Sequence, residues 1–318
     1  MLRTTFHNRP AVQLENELIR VTVLADGGHI AEILDKTTGV NPLWIPPWVS
    51  AGDEDSTDFG DNSESRLLRG IMGHNLCLDL FGPPSDTEAA AGVVAHGEAG
   101  IVRYEFEGDL ICRCLLPSSR LAFERAIRLE GRRVLIGETV ENLSVFDRPI
   151  AWTQHVTLGP PFLERGRTQF RAPVARSQGI GDSEPQELET YTNAASSAGY
   201  TAHLMDPESE KAWFAAWSPS QLAIGYVWNR SDFPWMGVWD ENHSRTYPPW
   251  NGRTLTRGME FGVSPFPETR RQMIERGSMF GTPCCLWLDA KGRRSAHYYA
   301  VVGLAERVPA TSLELAAL

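Results

Sequence analysis

Two residues in otherwise apolar, strand-like segments carry groups that can move protons. His155 interrupts the segment TQHVTL, which runs into a Gly-Pro-Pro bend, and Glu260 lies between Met259 and Phe261. Histidine gains and loses a proton near neutral pH, where a carboxylate acts as a base. The two residues therefore predict acid–base chemistry if folding brings them together. Taken singly, a histidine in a strand is more often a hydrogen-bonded core residue, and a lone glutamate can simply face solvent.

Two further histidines fall where strand patterning would place apolar or turn residues. His96 precedes a glycine in AHGEAG, and His74 lies five positions before Asp79 in GHNLCLDLF. On one strand, an odd separation places two side chains on opposite faces, so at most one of His74 and Asp79 can face a site. A metal site built from His74, His96 and His155 stays open as a lesser alternative, although their spacing is not that of zinc ligands.

Six tryptophans lie between positions 213 and 250. Core packing accounts for most rings of this kind. A flat aromatic face also stacks on the apolar C–H face of a sugar, and the segment WMGVWDENHS, followed by YPPW, is rich in Pro, Asp and Asn. This segment predicts the rim of a sugar pocket, with Trp239 as its aromatic platform.

Period-two alternation of apolar residues recurs along the chain, between Gly, Pro, Asp and Asn punctuation. Residues 18–28 and 29–39 read as a strand pair joined at a Gly-Gly turn, and residues 284–303 as two strands joined by a turn at 289–292. One helix is predicted over 268–277, whereas 49–66 and 177–200 read as long loops. Because strands follow strands, we expect an all-β fold, a large antiparallel β-sandwich with few short helices, formed by residues 1–318 as one domain.

The composition limits the classes of partner. The 318 residues are 42% apolar and carry a formal net charge of −10, which opposes binding to nucleic acid and to anionic membranes. We find no apolar leader and no run of residues long enough to cross a bilayer, so a cytoplasmic protein is expected. The five cysteines have no CxxC spacing and are interpreted as free thiols. Nothing in the sequence calls for a cofactor or a metal.

Several of these segments together resemble the galactose mutarotase-like superfamily, especially its uncharacterised branch related to aldose 1-epimerases. They are the opening LENELIRVTVLADGGHIAEILDKTTGVNPLW, then HGEAG, VENLSVFDRPIAWTQHVTLGPPF (140–162) and RGMEFGVSPFP. Their order and spacing match over nearly the whole chain. The resemblance implies a β-supersandwich in which His155 is the general acid, Glu260 is the general base and His96 binds the sugar.

The chain departs from the classical family pattern at three places. TQHVTLGPPF replaces the N-H-x-Y-F-N-type motif around the acid histidine, and RLLRGIMGHN replaces the A-N-R-I segment, leaving Arg69 and His74 as substitutes. Asp240 is the candidate for the family's substrate-binding aspartate. These differences concern the substrate more than the fold.

The resemblance implies a cofactor-free isomerase that interconverts the anomers of a small sugar or sugar derivative. We expect His155 and Glu260 to lie on opposite sides of one sugar-sized hollow on a concave sheet face. Two alternatives stay open: a hydrolase or lyase, which would place a second carboxylate about 5–10 Å from Glu260, and a carbohydrate-binding protein without turnover. Which sugar is bound, whether it is phosphorylated and whether the chain self-associates are left open by the sequence.

Overall fold

The computed structural model describes residues 1–50, 58–181 and 183–318, and strands dominate it. The strands are β1 (Leu2–Phe6), β2 (Arg9–Glu15), β3 (Ile19–Leu24), β4 (Ile30–Asp35), β5 (His74–Asp79), β6 (Glu105–Glu107), β7 (Ile111–Leu116), β8 (Leu121–Glu130), β9 (Arg133–Asn142), β10 (Arg148–Leu158), β11 (Gln169–Arg171), β12 (Val174–Gly179), β13 (Ser197–Met205), β14 (Lys211–Trp217), β15 (Leu222–Asn229), β16 (Trp235–Asn242), β17 (Leu255–Gly262), β18 (Ser278–Met279), β19 (Thr282–Pro283), β20 (Leu286–Leu288) and β21 (Arg293–Leu304).

The helices of the described residues are short, and all except α5, which follows the last strand, lie between strands. They are α1 (Pro47–Ser50), α2 (Ser65–Leu68), α3 (Asp86–Ala90), α4 (Arg270–Arg276), α5 (Ser312–Ala316) and a 3₁₀ turn at Glu98–Gly100. No helix in the described parts of the chain combines the length and the hydropathy that a membrane span requires.

The strands form two antiparallel sheets that pack face to face, which confirms the predicted sandwich. The large sheet has the order β1-β2-β3-β4-β5-β10-β17-β16-β13-β12, with β20 paired to one end of β10. The second sheet has the order β11-β14-β15-β21-β9-β8-β7-β6. Strands β18 and β19 form a separate small pair.

Most local predictions are confirmed and some need correction. The predicted strand pair forms β3 and β4, and the predicted helix is α4, which begins after the cap residue Thr269 and ends at Gly277. The C-terminal strands β20 and β21 flank the predicted turn, although each pairs with other strands. The predicted loop 177–200 is shorter than expected, because β12 and β13 occupy its ends. In the other predicted loop, residues 51–57 lie outside the described residues.

A charged pair lies in the apolar core between the two sheets. Arg125 Nε donates a hydrogen bond to Glu138 Oε1 over 2.7 Å, and both side chains are completely buried. Trp152 Nε1 and Gln154 Nε2 donate to Glu138 Oε2 over 3.0 and 2.6 Å, and the Tyr298 hydroxyl donates to Oε1 over 2.8 Å. A buried charge is tolerated only when it is paired and hydrogen-bonded in this way. The network joins β8 and β9 of the second sheet to β10 of the large sheet.

We expect Glu138→Gln to lower the free energy of unfolding by about 3–5 kcal/mol, because it leaves the charge of Arg125 buried and unpaired. Glu275→Gln is the matched control, since it breaks the exposed pair between Arg271 and Glu275 on α4 and should cause no measurable change. Urea unfolding followed by circular dichroism measures both variants. Equal stabilities of the two variants would contradict a structural role for the buried pair.

Candidate active site

Strands β10 and β17 send alternate side chains to the two faces of the large sheet. Trp152 on β10, with Met259 and Phe261 on β17, packs into the core between the sheets. Because successive side chains of a strand point to opposite faces, His155 and Glu260 lie on the outer face, away from the second sheet. The strand pattern alone therefore brings both predicted proton-transfer groups to one surface.

His155 and Glu260 are register partners in the antiparallel pairing of β10 with β17. His155 Nε2 lies 2.9 Å from Glu260 Oε1, and the two residues are 5% and 3% exposed. At this distance the groups form an ion pair when His155 is protonated, and they can pass a proton between them.

The expectation that the two groups face each other across a hollow is wrong. Directly opposed residues on neighbouring antiparallel strands have Cβ atoms only about 4.5–5.5 Å apart and project from the same face. His155 and Glu260 therefore stand side by side on the floor of one cavity rather than on opposite walls.

The cavity above this pair has a volume of about 350 Å³. Ligand pockets for small molecules typically occupy about 300–1,000 Å³. Its charged and ionisable lining residues are His155, Glu260, His96, Glu64 and Arg245, and its aromatic lining residues are Tyr200, Trp239 and Trp250. The cavity therefore combines proton-transfer groups with an aromatic wall.

His96 reaches the cavity from a tight turn. Its backbone has a φ of +63°, and that of the following Gly97 is +78°. A Cβ atom at Gly97 would lie 2.1 Å from the carbonyl oxygen of Leu78, so only glycine fits at this position. The glycine after His96 is thus required by the backbone turn that presents the His96 ring.

The protonation state of His96 follows from its surroundings. The backbone N–H of Gly82 donates to His96 Nδ1 over 3.3 Å, so Nδ1 is an acceptor and Nε2 carries the proton. Burial of the ring, with the nearby charges of His155 and Arg245, lowers the pKa of His96 to about 3. Near neutral pH the ring is therefore an uncharged hydrogen-bond donor and not a proton-exchanging group.

An aromatic corner forms another wall of the cavity. The Trp239 ring centroid is 5.8 Å from that of His155 and 6.2 Å from that of Trp250, whose ring is nearly perpendicular to it. The guanidinium carbon of Arg245 lies 4.6 Å from the Trp250 centroid and 5.6 Å from that of Trp239. Arg245 Nε lies 3.4 Å from a carboxylate oxygen of Glu241. Sequence reasoning did not find Arg245, because it follows β16 in an irregular loop that no periodic pattern identifies.

Asp240 does not face the cavity, which corrects the prediction that it binds substrate. It neighbours Trp239 on β16 and therefore points to the opposite face of the sheet. Arg257 donates to both carboxylate oxygens of Asp240, over 2.7 Å each, and both side chains are almost fully buried. The Asp240 carboxylate is thus committed to a structural pair beneath the site.

His74 and Arg69 are also absent from the cavity wall, contrary to expectation. His74 faces the core between the sheets, where Nε2 contacts Gln154 Oε1 at 3.0 Å and Nδ1 contacts the Tyr226 hydroxyl at 3.2 Å. Arg69 ends α2 with an exposed side chain, whose guanidinium carbon lies 4.7 Å from the Phe59 ring centroid.

The position of His74 also rules out the alternative of a three-histidine metal site. Its ring lies on the opposite face of the sheet from His155. The described residues contain no group of three or more His, Cys, Asp or Glu side chains that could hold a metal ion. Asp79, five residues later, lies on the outer face as alternation requires, and it forms ion pairs with Arg148 and Arg270 rather than entering the cavity.

We expect the free energy of unfolding to fall as the pH is lowered from about 6.5 towards 4. Burial lowers the pKa values of His29 and His96 to about 3 and that of His203 to about 4, and it lowers the pKa of His74 well below 6.5. Each of these rings is uncharged in the folded protein and takes up a proton on unfolding at a pH below about 6.5. Their contribution to the free energy of unfolding is therefore fully present above that pH and is lost as the pH falls.

Urea titrations at several pH values measure this slope. His29→Gln should reduce it by at most about 1.4 kcal/mol per pH unit, the effect of one proton. His297→Gln, at an exposed position, should leave the slope unchanged. An unaltered slope in the His29→Gln variant would contradict the assigned neutral state of that ring.

Comparison with known proteins gives fold relatives only. No model of a known protein family matches the sequence, and no curated protein does. A proposed aldose 1-epimerase from Klebsiella pneumoniae matches with a TM-score of 0.71 at 13% identity, over 98% of this chain and 82% of that one. A galactose mutarotase-like protein from Clostridium acetobutylicum gives 0.65 at 13% identity, over 96% and 98% of the two chains. A proposed aldose 1-epimerase from Escherichia coli K12 gives 0.64 at 11% identity, over 93% and 99%. The chain thus has the fold of the galactose mutarotase-like proteins.

Proposed function

We propose that this protein is an aldose 1-epimerase-like isomerase that interconverts the anomers of a small sugar by acid–base opening and closing of the ring. The observation that carries the proposal is the contact between His155 and Glu260, 2.9 Å apart on the floor of a cavity of about 350 Å³. The shared fold with proposed aldose 1-epimerases supports it.

The side-by-side arrangement suits the chemistry of the anomeric carbon. In a cyclic sugar, the anomeric hydroxyl oxygen and the ring oxygen are bonded to the same carbon. Opening the ring takes a proton from the first oxygen and gives a proton to the second, so the base and the acid have to reach two atoms that lie close together. Register partners on neighbouring strands meet this requirement.

The reaction begins with Glu260 ionised and His155 protonated. Glu260 takes the proton of the anomeric hydroxyl, the electrons of that O–H bond form the carbonyl, and the bond from the anomeric carbon to the ring oxygen breaks as His155 Nε2 protonates the ring oxygen. Rotation about the C1–C2 bond then presents the other carbonyl face. Closure reverses both transfers and restores the starting protonation states. Positioned proton transfers of this kind typically contribute about 10²–10⁴-fold each.

The remaining cavity residues are assigned to binding. The ring of Trp239, which is partly exposed, offers an apolar face for the C–H face of the sugar. Trp250 is only 2% exposed, with the Trp44 ring stacked against it, and supports the Trp239 ring. The neutral His96 donates through Nε2 to a sugar oxygen, and Arg245 presents further N–H donors at the edge of the aromatic corner. None of these steps uses a group from outside the chain.

We expect Glu260→Gln and His155→Gln each to lower kcat/KM for anomer exchange by about 10²–10⁴-fold, because each removes one proton-transfer partner. Two-dimensional NMR exchange between the anomers of a panel of aldoses measures the rate directly. Glu208→Gln and His297→Gln, at exposed positions, are the matched controls and should exchange at the wild-type rate.

Two outcomes would contradict the proposal. Wild-type rates in both site variants would remove the assigned roles of His155 and Glu260. Sugar binding, seen as a change in tryptophan fluorescence, with no exchange of any aldose or sugar phosphate would instead identify a carbohydrate-binding protein.

A second candidate function, glycoside hydrolysis, is favoured by one observation. Glu64 places another carboxylate on the wall of the cavity that holds Glu260. Most glycoside hydrolases need two carboxylates that flank the scissile bond. Release of sugar from aryl glycosides, abolished in a Glu64→Gln variant, would support hydrolysis, whereas the absence of any release would exclude it for the glycosides tested.

A further inference from the structure

The second ring nitrogen of His155 has a partner that the proposed reaction does not use. His155 Nδ1 lies 2.9 Å from the hydroxyl oxygen of Thr157, two residues further along β10 and on the same face of the strand. His155 is therefore held at both nitrogens, with Thr157 at Nδ1 and Glu260 at Nε2.

Thr157 is itself fixed from both sides by backbone hydrogen bonds. Its N–H donates to the carbonyl oxygen of Gly73 over 3.2 Å, and its carbonyl oxygen accepts from the N–H of Trp44 over 2.8 Å. The residue is 1% exposed and does not line the cavity, so its hydroxyl cannot attack a ligand. The arrangement Thr157–His155–Glu260 is thus not a nucleophilic triad, and the hydroxyl acts on the imidazole alone.

A hydroxyl is suited to a ring that changes its protonation state. The Thr157 O–H can donate to Nδ1 when the imidazole is neutral, and its oxygen can accept from Nδ1–H when the ring is protonated. A backbone N–H or a carbonyl oxygen at this place would be matched to only one protonation state of Nδ1. The Thr157 hydroxyl therefore satisfies Nδ1 at both stages of a proton-transfer cycle without any movement of the ring.

We propose that Thr157 is a positioning residue that anchors the His155 ring at Nδ1 in the orientation that keeps Nε2 against Glu260, whose carboxylate holds the exchangeable proton on Nε2, so that all proton transfer takes place on the side of the cavity. The part of this inference that concerns the rate rests on the proposed isomerase function. The part that concerns the orientation and tautomer of the ring does not, because both are properties of the free protein.

The chain provides a matched control on the same strand. Thr153 lies two residues before His155, on the same face, and is also 1% exposed. Its hydroxyl has no hydrogen-bond partner among the described residues. Thr157→Val and Thr153→Val thus make the same change of shape on either side of His155, but only the first removes a contact to the ring.

The test is ¹⁵N NMR of the histidine side chains in the protein without sugar, with His155 assigned from the spectrum of the His155→Gln variant. In wild type, in Thr153→Val and in Thr157→Ser, we expect an unprotonated Nδ1 and a protonated Nε2 when His155 is neutral. In Thr157→Val we expect a mixture of the two tautomers, because the ring is no longer anchored at Nδ1 and can turn Nε2 away from the Glu260 carboxylate that holds its proton.

With a sugar that wild type turns over, Thr157→Val should lower kcat by about 10–100-fold with little change in KM, and Thr157→Ser should recover most of the loss. An unchanged tautomer in Thr157→Val, or equal effects of Thr157→Val and Thr153→Val, would overturn the inference. A tautomer shift in a protein that isomerises no sugar would keep the role of Thr157 and reject the proposed function, so the two failures are distinguishable.

Discussion

The antiparallel pairing of β10 with β17 determines where the reactive groups lie, because it sets His155 directly opposite Glu260. The two residues are far apart in the sequence, and nothing but strand register brings them to 2.9 Å. A slip of one residue in β10 would turn His155 towards the core between the sheets and bring Gln154 to the cavity. The register therefore has to be held firmly if the site is to exist.

Side chains on the inner face of the same strands hold β10 and β17 in this register. Gln154, next to His155, belongs to the buried network around Glu138 and Arg125, and Trp152 donates to the same carboxylate. A slipped strand would separate these donors from a buried charge, which is costly. Arg257 and Asp240 form a comparable pair beneath β16 and β17. Polar groups on the inner face of the large sheet thus stabilise one strand register, and this register places the polar groups of the candidate site together on the outer face.

Sequence patterns predicted the secondary-structure elements better than they predicted which face of the sheet each side chain occupies. Alternation and turn residues identified the strands, the sandwich and helix α4, and they placed His155 and Glu260 on strands. Trp239 and Asp240 show the limit, since both looked suitable for a pocket rim and only the pairing of β16 decides that Trp239 faces the cavity. The prediction that His74 binds substrate was wrong for the same reason, because the groups that contact its ring, Gln154 and Tyr226, lie on other strands. Arg245 lies in an irregular loop, where the sequence has no periodic pattern that could predict the position of a side chain.

A double-mutant cycle at positions 155 and 260 tests most directly whether the paired groups act as one unit. The anomer exchange rate would be measured for wild type, His155→Gln, Glu260→Gln and the double variant with the sugar that wild type turns over fastest. If each proton transfer depends on the other, the double variant should be about as slow as the slower single variant. Losses that multiply in the double variant would show that the two residues act independently and would contradict the coupled mechanism.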